Sequence, residues 1–187
     1  IYAEADRLFQ DPENEAEVRA LYACWNARDP EIVALWKKTR QWSLEGFEEI
    51  YSLLGEEFDR IFFESDVEDP GVVLVEKMIE EGLAVDERPG GPVFIDLDAV
   101  LGTDQEYRVL VVLRSDGSSL YATKDLSLAI QKFAEYDLDQ SIYVIDVRQS
   151  LYLKQIFKTL EILGFEWADK LQHLPYELVN LPGNVVM

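Results

Sequence analysis

The sequence is poor in the residues that build disulfides and zinc sites. It has one cysteine, Cys24, and one histidine, His173. One cysteine excludes an intrachain disulfide, and the pair cannot complete a zinc shell. We therefore expect no metal site built from these side chains, with carboxylate-bound magnesium as the open alternative.

Long apolar runs are also missing. No stretch approaches the roughly 18 apolar residues that a membrane span needs, and the first residues lack the apolar centre of a signal peptide. These absences predict a cytoplasmic protein without a membrane partner. The chain opens with Ile1 rather than methionine, which suggests a trimmed or excised segment.

Basic residues are scarce. The 187 residues include 17 lysines and arginines against 37 acids, a net charge of -20. Such a surface repels phosphate backbones, so we expect little direct grip on RNA from this segment. An acidic surface suits a cationic small substrate, although it more often serves solubility.

Glycine-rich phosphate loops are absent as well. The sequence contains neither a GxGxxG nor a GxxxxGK[ST] motif. An unrelated nucleotide-binding α/β protein would need such a loop, which makes that class of protein a distant alternative.

Residues 1–88 have mainly helical patterns. Asp11-Pro12 and Asp29-Pro30 each place a capping acid before a proline, as helix starts prefer. Ser43 is a plausible cap for a third helix, and Asp69-Pro70 predicts a fourth helix start. Apolar residues follow each start at helical spacing, so we expect these stripes, with their tryptophans, to face a core.

The pattern changes to strands after Pro89-Gly90-Gly91-Pro92. We predict strands at 93–97 and 107–113, a tight turn at 115–118, and a returning strand through Leu120 and Tyr121.

Helix and strand patterns alternate from Thr123 onward. A helix, the apolar strand 142–145, a second helix ending near Gly164 and a strand candidate at 171–181 follow one another. This order predicts an α/β fold in which helices cover both faces of a parallel sheet. We place the domains at 1–88, a helical insertion or connecting region, and 89–187.

Polar residues follow two of these apolar runs. Tyr121 and Asp125 come after the hairpin, and Gln149 comes shortly after the buried strand. Ligands of such sheets bind at the carboxyl ends of strands. A carboxylate there can accept a planar cation, a phenol can stack on it, and an amide can orient an amino-acid head group.

At these residues the sequence resembles a known family. The runs SDGSSLYATKD, IYVIDVRQ, LGFEW and LQHLPYELV look like arginyl-tRNA synthetases in their archaeal or eukaryotic style. FDRIFFES and GPVFIDL also match family landmarks in order. The resemblance covers 58–187 well and the earlier helices more loosely. It implies the second half of a class I, Rossmann-type catalytic domain.

The resemblance also implies an activity and site residues. Such an enzyme activates L-arginine with ATP, to which Mg²⁺ can be bound, and transfers the arginyl group to tRNA(Arg). Tyr121 and Asp125 would contact the guanidinium, Glu64 would complete an acidic pocket, and Gln149 would touch the amino-acid end. The structural alternatives are an early-turn acid for Asp125 and a solvated acid for Glu64.

Two residues are candidates for contact with ATP. The resemblance places His173 near the adenine, and a packed strand residue is an equal alternative. Asp146 would approach the ribose, although a structural role is favoured. For Lys124 and Arg148 we predict local ion pairs with neighbouring acids.

Two loops of the family are missing from these residues. The sequence has no His-x-Gly-His loop, and a Lys-Met-Ser-Lys-Ser type loop would begin after Met187. These loops stabilise the transition state, so we predict that the isolated chain has no aminoacylation activity. A non-catalytic module, descended from a synthetase and binding proteins or a small cation, is the alternative.

Overall fold

A computed structural model describes residues 2–178, 180–181, 183 and 185–186. The chain divides into two compact units, Ile1–Ile61 and Phe62–Met187. Each unit is described by itself. The predicted beginning of a family loop after Met187 lies outside the described residues.

The first unit consists of helices α1 (Tyr2–Phe9), α2 (Pro12–Asn26) and α3 (Pro30–Leu54). Asp29 caps α3 as predicted, because its carboxylate accepts hydrogen bonds from the amides of Glu31 and Ile32 at 3.0 and 3.2 Å. Gly55 ends the helix with a φ of 71°, a left-handed conformation that glycine adopts without strain.

The predicted helix start at Ser43 is wrong. Helix α3 runs through this residue, and the Ser43 hydroxyl donates a hydrogen bond to the carbonyl of Thr39 at 3.3 Å. A serine inside a helix commonly bonds back to the carbonyl four residues earlier, so its presence alone does not mark a helix start.

The apolar stripes of the first unit do not form a buried core. Trp25 and Trp36 contact each other with ring centroids 4.8 Å apart. None of the residues of α3 is buried, however, and Trp42 is 58% exposed. The expectation of core-facing stripes is therefore wrong within this unit, because its helices are not covered by a second layer.

The second unit has four helices, seven short or medium strands and two 3₁₀ turns among the described residues. In chain order they are α4 (Glu64–Glu80), β1 (Val85–Asp86), β2 (Val93–Asp96), α5 (Leu97–Leu101), β3 (Val109–Leu113), α6 (Tyr121–Glu135), β4 (Ser141–Asp146), a 3₁₀ turn (Val147–Gln149), α7 (Ser150–Ile162), a 3₁₀ turn (Glu166–Lys170), β5 (Leu171–Tyr176), β6 (Asn180–Leu181) and β7 (Val185–Val186). Strands β1, β2 and β3 form an antiparallel sheet, β4 and β5 pair in parallel, and β6 pairs with β7.

The core of this unit lies between the antiparallel sheet and helices α4, α6 and α7. Its fully buried side chains include Val75, Ile95, Val112, Leu126 and Ile156, one from each of five elements. Burial of such side chains contributes about 1.5–3 kcal/mol each and fixes where the ends of α6 and α7 lie. The unit is thus a mixed α/β fold. The domain boundary at residue 88 follows a change of secondary-structure type and stays a prediction.

Helix α4 begins earlier than predicted. It starts at Glu64 and continues through Pro70. Val67 is 2% exposed and lies on the same face as Gly71 and Val75, one and two turns later. We attribute the early start to this burial, which outweighs the hydrogen bond that proline cannot donate.

The predicted returning strand through Leu120 and Tyr121 is also wrong, because the helix begins where the strand was expected to continue. A single bridge joins Leu113 to Ser119, and Tyr121 is already the first residue of α6. Thr123, in the first turn of this helix, has a buried hydroxyl that donates to the carbonyl of Val112, which also accepts a hydrogen bond from the amide of Leu120.

Among the residues that the structure describes, helices cover one face of the parallel strands β4 and β5. Tyr143 and Leu171 point to the side packed by helices. Ile142 and Val144, on the other face of β4, are 52% and 61% exposed. The expectation of a sheet covered on both sides is therefore wrong for the described residues, since the helices pack on a single face. Of the strand candidate at 171–181, residues Leu171–Tyr176 form the strand that pairs with β4.

Candidate functional site

The first two turns of α6 bring two predicted site residues onto one helix. Tyr121 is its first residue and Asp125 follows four positions later, so their side chains project from the same face. Tyr121 is 72% exposed, while Asp125 is half-buried. Helix α4 approaches closely here, because a Cβ on Gly71 would lie 2.5 Å from the Thr123 carbonyl oxygen.

Asp125 is held from the neighbouring helix α7. The hydroxyl of Tyr152 donates a hydrogen bond to Asp125 Oδ2 at 2.5 Å. Oδ1 of the same carboxylate accepts no hydrogen bond from any residue that the structure describes. One oxygen is thus occupied by the protein, and the other can accept a donor from a ligand.

A lysine on the same helix lies near this carboxylate. Lys132 follows Asp125 by seven residues on α6, and its Nζ donates to the Ser141 hydroxyl at 3.0 Å. The same Nζ lies 4.2 Å from the ring centroid of Tyr143, a cation–π contact. Burial lowers the pKa of Lys132, and the nearby charge of Asp125 opposes that change. A partly desolvated cation therefore lies near the Asp125 carboxylate.

Glu64 reaches the site from the first residue of α4. Its Oε2 lies 2.8 Å from Nζ of Lys124, which confirms the predicted local ion pair of that lysine. Two carboxylates, Glu64 and Asp125, thus face two ammonium groups, Lys124 and Lys132. The sequence suggested a strongly acidic pocket, whereas the charge in the structure is nearly balanced.

The pKa of Asp125 is raised above its ordinary value. Partial burial is the largest cause, because it penalises the charged form. The hydrogen bond from Tyr152 works in the opposite direction, the charge of Glu64 raises the pKa further, and Lys132 and Lys124 lower it. A cationic ligand would favour the ionised carboxylate in the same way as these lysines do.

Gln149 lies at the carboxyl end of β4, as predicted, but does not touch Asp125. It ends a 3₁₀ turn, precedes α7 and is exposed. Tyr152, three residues later in the first turn of α7, is the residue that contacts Asp125. Gln149 is therefore near the same end of α7, and its side-chain amide makes no hydrogen bond with the residues that the structure describes.

The two residues considered for ATP lie at β4 and β5. Asp146 accepts hydrogen bonds from the amide and guanidinium of Arg148, at 2.8 and 2.9 Å, which confirms the predicted ion pair of Arg148 and lowers the pKa of Asp146. His173 pairs with Tyr143 across the parallel strands, and its Nε2 lies 2.9 Å from the Ile145 carbonyl oxygen. Both side chains are thus engaged by the protein itself.

The described part of the chain offers no group of three or more His, Cys, Asp or Glu side chains that could hold a metal ion. Among the same residues no helix is long and apolar enough to cross a membrane.

Reasoning from the sequence missed Tyr152 and Lys132. Lys132 had a detectable signal, since a separation of seven residues places it on the face of α6 that contains Asp125. Tyr152 had a weaker one, the position of its phenol three residues after Gln149. Its contact with Asp125 joins two helices and could not be read from spacing within one of them.

Comparison with known proteins assigns this chain to a family. Residues 1–182 match the profile of the class I tRNA synthetase catalytic domain specific for arginine (R). The chain belongs to the arginyl-tRNA synthetase family. It is similar to the arginine–tRNA ligase of Treponema denticola, with 40% identity over 175 residues, 92% of this chain and 29% of that protein. The ligase of Bdellovibrio bacteriovorus is 35% identical over 193 residues, 100% of this chain and 32% of that protein.

Solved structures of the family have the same fold. The arginyl-tRNA synthetase of Plasmodium falciparum superposes with a TM-score of 0.68 at 19% identity, over 92% of this chain and 29% of that one. A putative arginyl-tRNA synthetase of Campylobacter jejuni gives 0.66 at 16% identity, over 85% and 34%. The class I, Rossmann-type assignment is thereby confirmed. The chain spans about three tenths of the curated relatives' length.

Proposed function

We propose that the protein containing this chain is an arginine–tRNA ligase, and that these residues bind the side chain of arginine. The supporting observation is the half-buried carboxylate of Asp125, with Oδ2 held by Tyr152 and Oδ1 available. A guanidinium can place N–H donors on such a carboxylate, and partial desolvation strengthens the interaction. The similarity to arginine–tRNA ligases supports the same substrate.

The other acid, Glu64, contributes charge rather than a fixed contact in our proposal. It is exposed and paired with Lys124, so a guanidinium that approaches Asp125 can compete with this ammonium group. Arginine has a planar fork of donors, whereas lysine presents one compact ammonium, which could not engage separate acceptors with the same geometry. Selection of arginine over lysine would thus depend on the positions of two carboxylates.

Tyr121 and Gln149 complete the proposed site. Tyr121 is exposed one turn before Asp125 and has a phenol that can stack on a guanidinium or donate to a bound substrate. Gln149 lies at the carboxyl end of β4, where its amide can both donate to a carboxylate and accept from an ammonium.

ATP and tRNA(Arg) are the remaining substrates in this proposal. Class I membership implies ATP, with His173 and Asp146 as candidates for contact and Mg²⁺ bound through the phosphates. The 187 residues contain no His-x-Gly-His sequence, so groups that stabilise the phosphates in the transition state must be supplied elsewhere. We therefore expect the isolated chain to be inactive. With a net charge of -20, it would also contribute little to RNA binding.

The Asp125→Asn substitution in the full-length protein tests the proposed site. The variant retains the size of the side chain but removes the charge that would bind the guanidinium. Loss of a hydrogen bond to a charged group costs about 1.5–3 kcal/mol. This corresponds to roughly ten- to 150-fold weaker arginine binding, measured by calorimetry. Asp137→Asn, an exposed acid beyond the end of α6, is the matched control and should bind arginine normally. Normal arginine affinity in Asp125→Asn would reject the assignment.

A further inference from the structure

Tyr152 makes a contact that the proposed binding of arginine does not by itself explain. It lies in the first turn of α7 and is half-buried, and its hydroxyl donates to Oδ2 of Asp125 on α6 at 2.5 Å. The bond joins two helices across 27 positions in sequence. Among the described residues, this is the one hydrogen bond that the Asp125 carboxylate accepts.

A second tyrosine in the same region provides a comparison. Tyr143 on β4 is largely buried and packs against Phe157 with ring centroids 5.2 Å apart. Its hydroxyl has no hydrogen-bond partner with acceptable geometry among the described residues, although Ser141 lies near enough to influence its pKa. The Tyr152 hydroxyl, by contrast, has a direct hydrogen-bond partner on a separate helix.

We infer that Tyr152 is a positioning residue for arginine recognition, because its hydroxyl fixes Oδ2 of Asp125 and leaves Oδ1 for the guanidinium. The inference rests on the proposed role of Asp125. Free rotation of the carboxylate would allow either oxygen to turn towards Lys132 or Lys124, whose charges both act on it. A carboxylate held in one orientation loses less conformational freedom when the substrate binds.

The contact also acts on the charge of Asp125. Burial and the charge of Glu64 both favour the protonated carboxyl, and the Tyr152 hydroxyl favours the ionised form. Removal of the hydroxyl therefore raises the pKa of Asp125. Since a cation requires the ionised acid, the pH below which arginine affinity declines must then move upward. A residue that only fills space would reduce affinity equally at every pH.

The experiment uses Tyr152→Phe in the full-length protein, which removes one oxygen and preserves the ring. Aminoacylation of tRNA(Arg) is measured as a function of arginine concentration at a series of pH values. We expect the KM for arginine to rise about tenfold, as for a hydrogen bond to a charged group, with smaller changes in kcat and in the KM for ATP. The acidic limb of kcat/KM should move to higher pH. Tyr136→Phe, at an exposed tyrosine just after the end of α6, should leave that limb unchanged.

The double variant Tyr152→Phe, Asp125→Asn separates the inference from the proposed function. If Tyr152 acts through Asp125, its substitution adds nothing to the loss in Asp125→Asn. Normal arginine affinity in Asp125→Asn alone would reject the proposed function. If Asp125→Asn is impaired but Tyr152→Phe has an unchanged KM and pH profile, the positioning role is rejected while the proposed function stands. A pH-independent loss that persists in the double variant would reduce Tyr152 to a packing residue and overturn the inference.

Discussion

Substitution of Gly71 by alanine tests how closely α4 must approach α6. A Cβ at this position would lie 2.5 Å from the carbonyl oxygen of Thr123 and 3.0 Å from its Cγ2. Overpacking of this kind costs about 1–3 kcal/mol. The carbonyl belongs to the backbone and cannot rotate away, so we place the cost near the upper end, at about 3 kcal/mol.

A compensating gain must be subtracted from this cost. Alanine is favoured over glycine within a helix by about 1 kcal/mol. The net expectation for Gly71→Ala is therefore a loss of about 2 kcal/mol in the free energy of unfolding. Thr123 lies between Tyr121 and Asp125, so the displacement should also weaken arginine binding in the full-length protein.

Gly46→Ala is the matched control. This glycine is within α3, and a Cβ there would meet no heavy atom within 4 Å. We expect a stabilisation of about 0.5–1 kcal/mol from helix preference alone. Amide hydrogen exchange measures α3 and α6 separately, since protection decreases with the free energy of local opening. Unchanged or increased protection of α6 in Gly71→Ala would show that the close approach is not a constraint.

Two further predictions concern the start of β3. Asp98 accepts hydrogen bonds from the Thr103 hydroxyl and from three backbone amides, and its pKa is lowered to about 2. Ionised Asp98 therefore stabilises the fold above the ordinary pKa of 3.8, and this stabilisation is lost as pH falls towards about 2. Asp98→Asn should weaken the dependence of the urea midpoint on pH in this window. An identical dependence in both proteins would contradict the prediction. The buried side chain of Gln155 donates hydrogen bonds to the carbonyls of Tyr107 and Val109. Gln155→Leu should therefore lower the free energy of unfolding in urea by about 1–3 kcal/mol, whereas Gln131→Leu on α6 should have little effect. Equal effects of the two substitutions would refute a special role for Gln155.

Local chemistry was sufficient where the decisive contacts are close in sequence. Asp29 caps α3 through amides two and three residues away, and Gly117 accepts the φ of 83° that its turn requires. Tyr121 and Asp125 share one face of α6 because the helix begins at Tyr121, earlier than the sequence predicted. The resemblance of the ordered motifs to arginyl-tRNA synthetases was confirmed by the match over residues 1–182.

Only the tertiary structure decided what surrounds the carboxylate of Asp125. Tyr152 reaches it from α7, and Glu64 contributes its charge from α4. Burial of Val67 likewise determined where α4 begins, against the local preference of a proline. The amino-acid sequence by itself specifies the carboxylate and its helix, because these depend on neighbours within a few residues. The orientation and pKa of that carboxylate depend on side chains from separate helices, which only folding brings together.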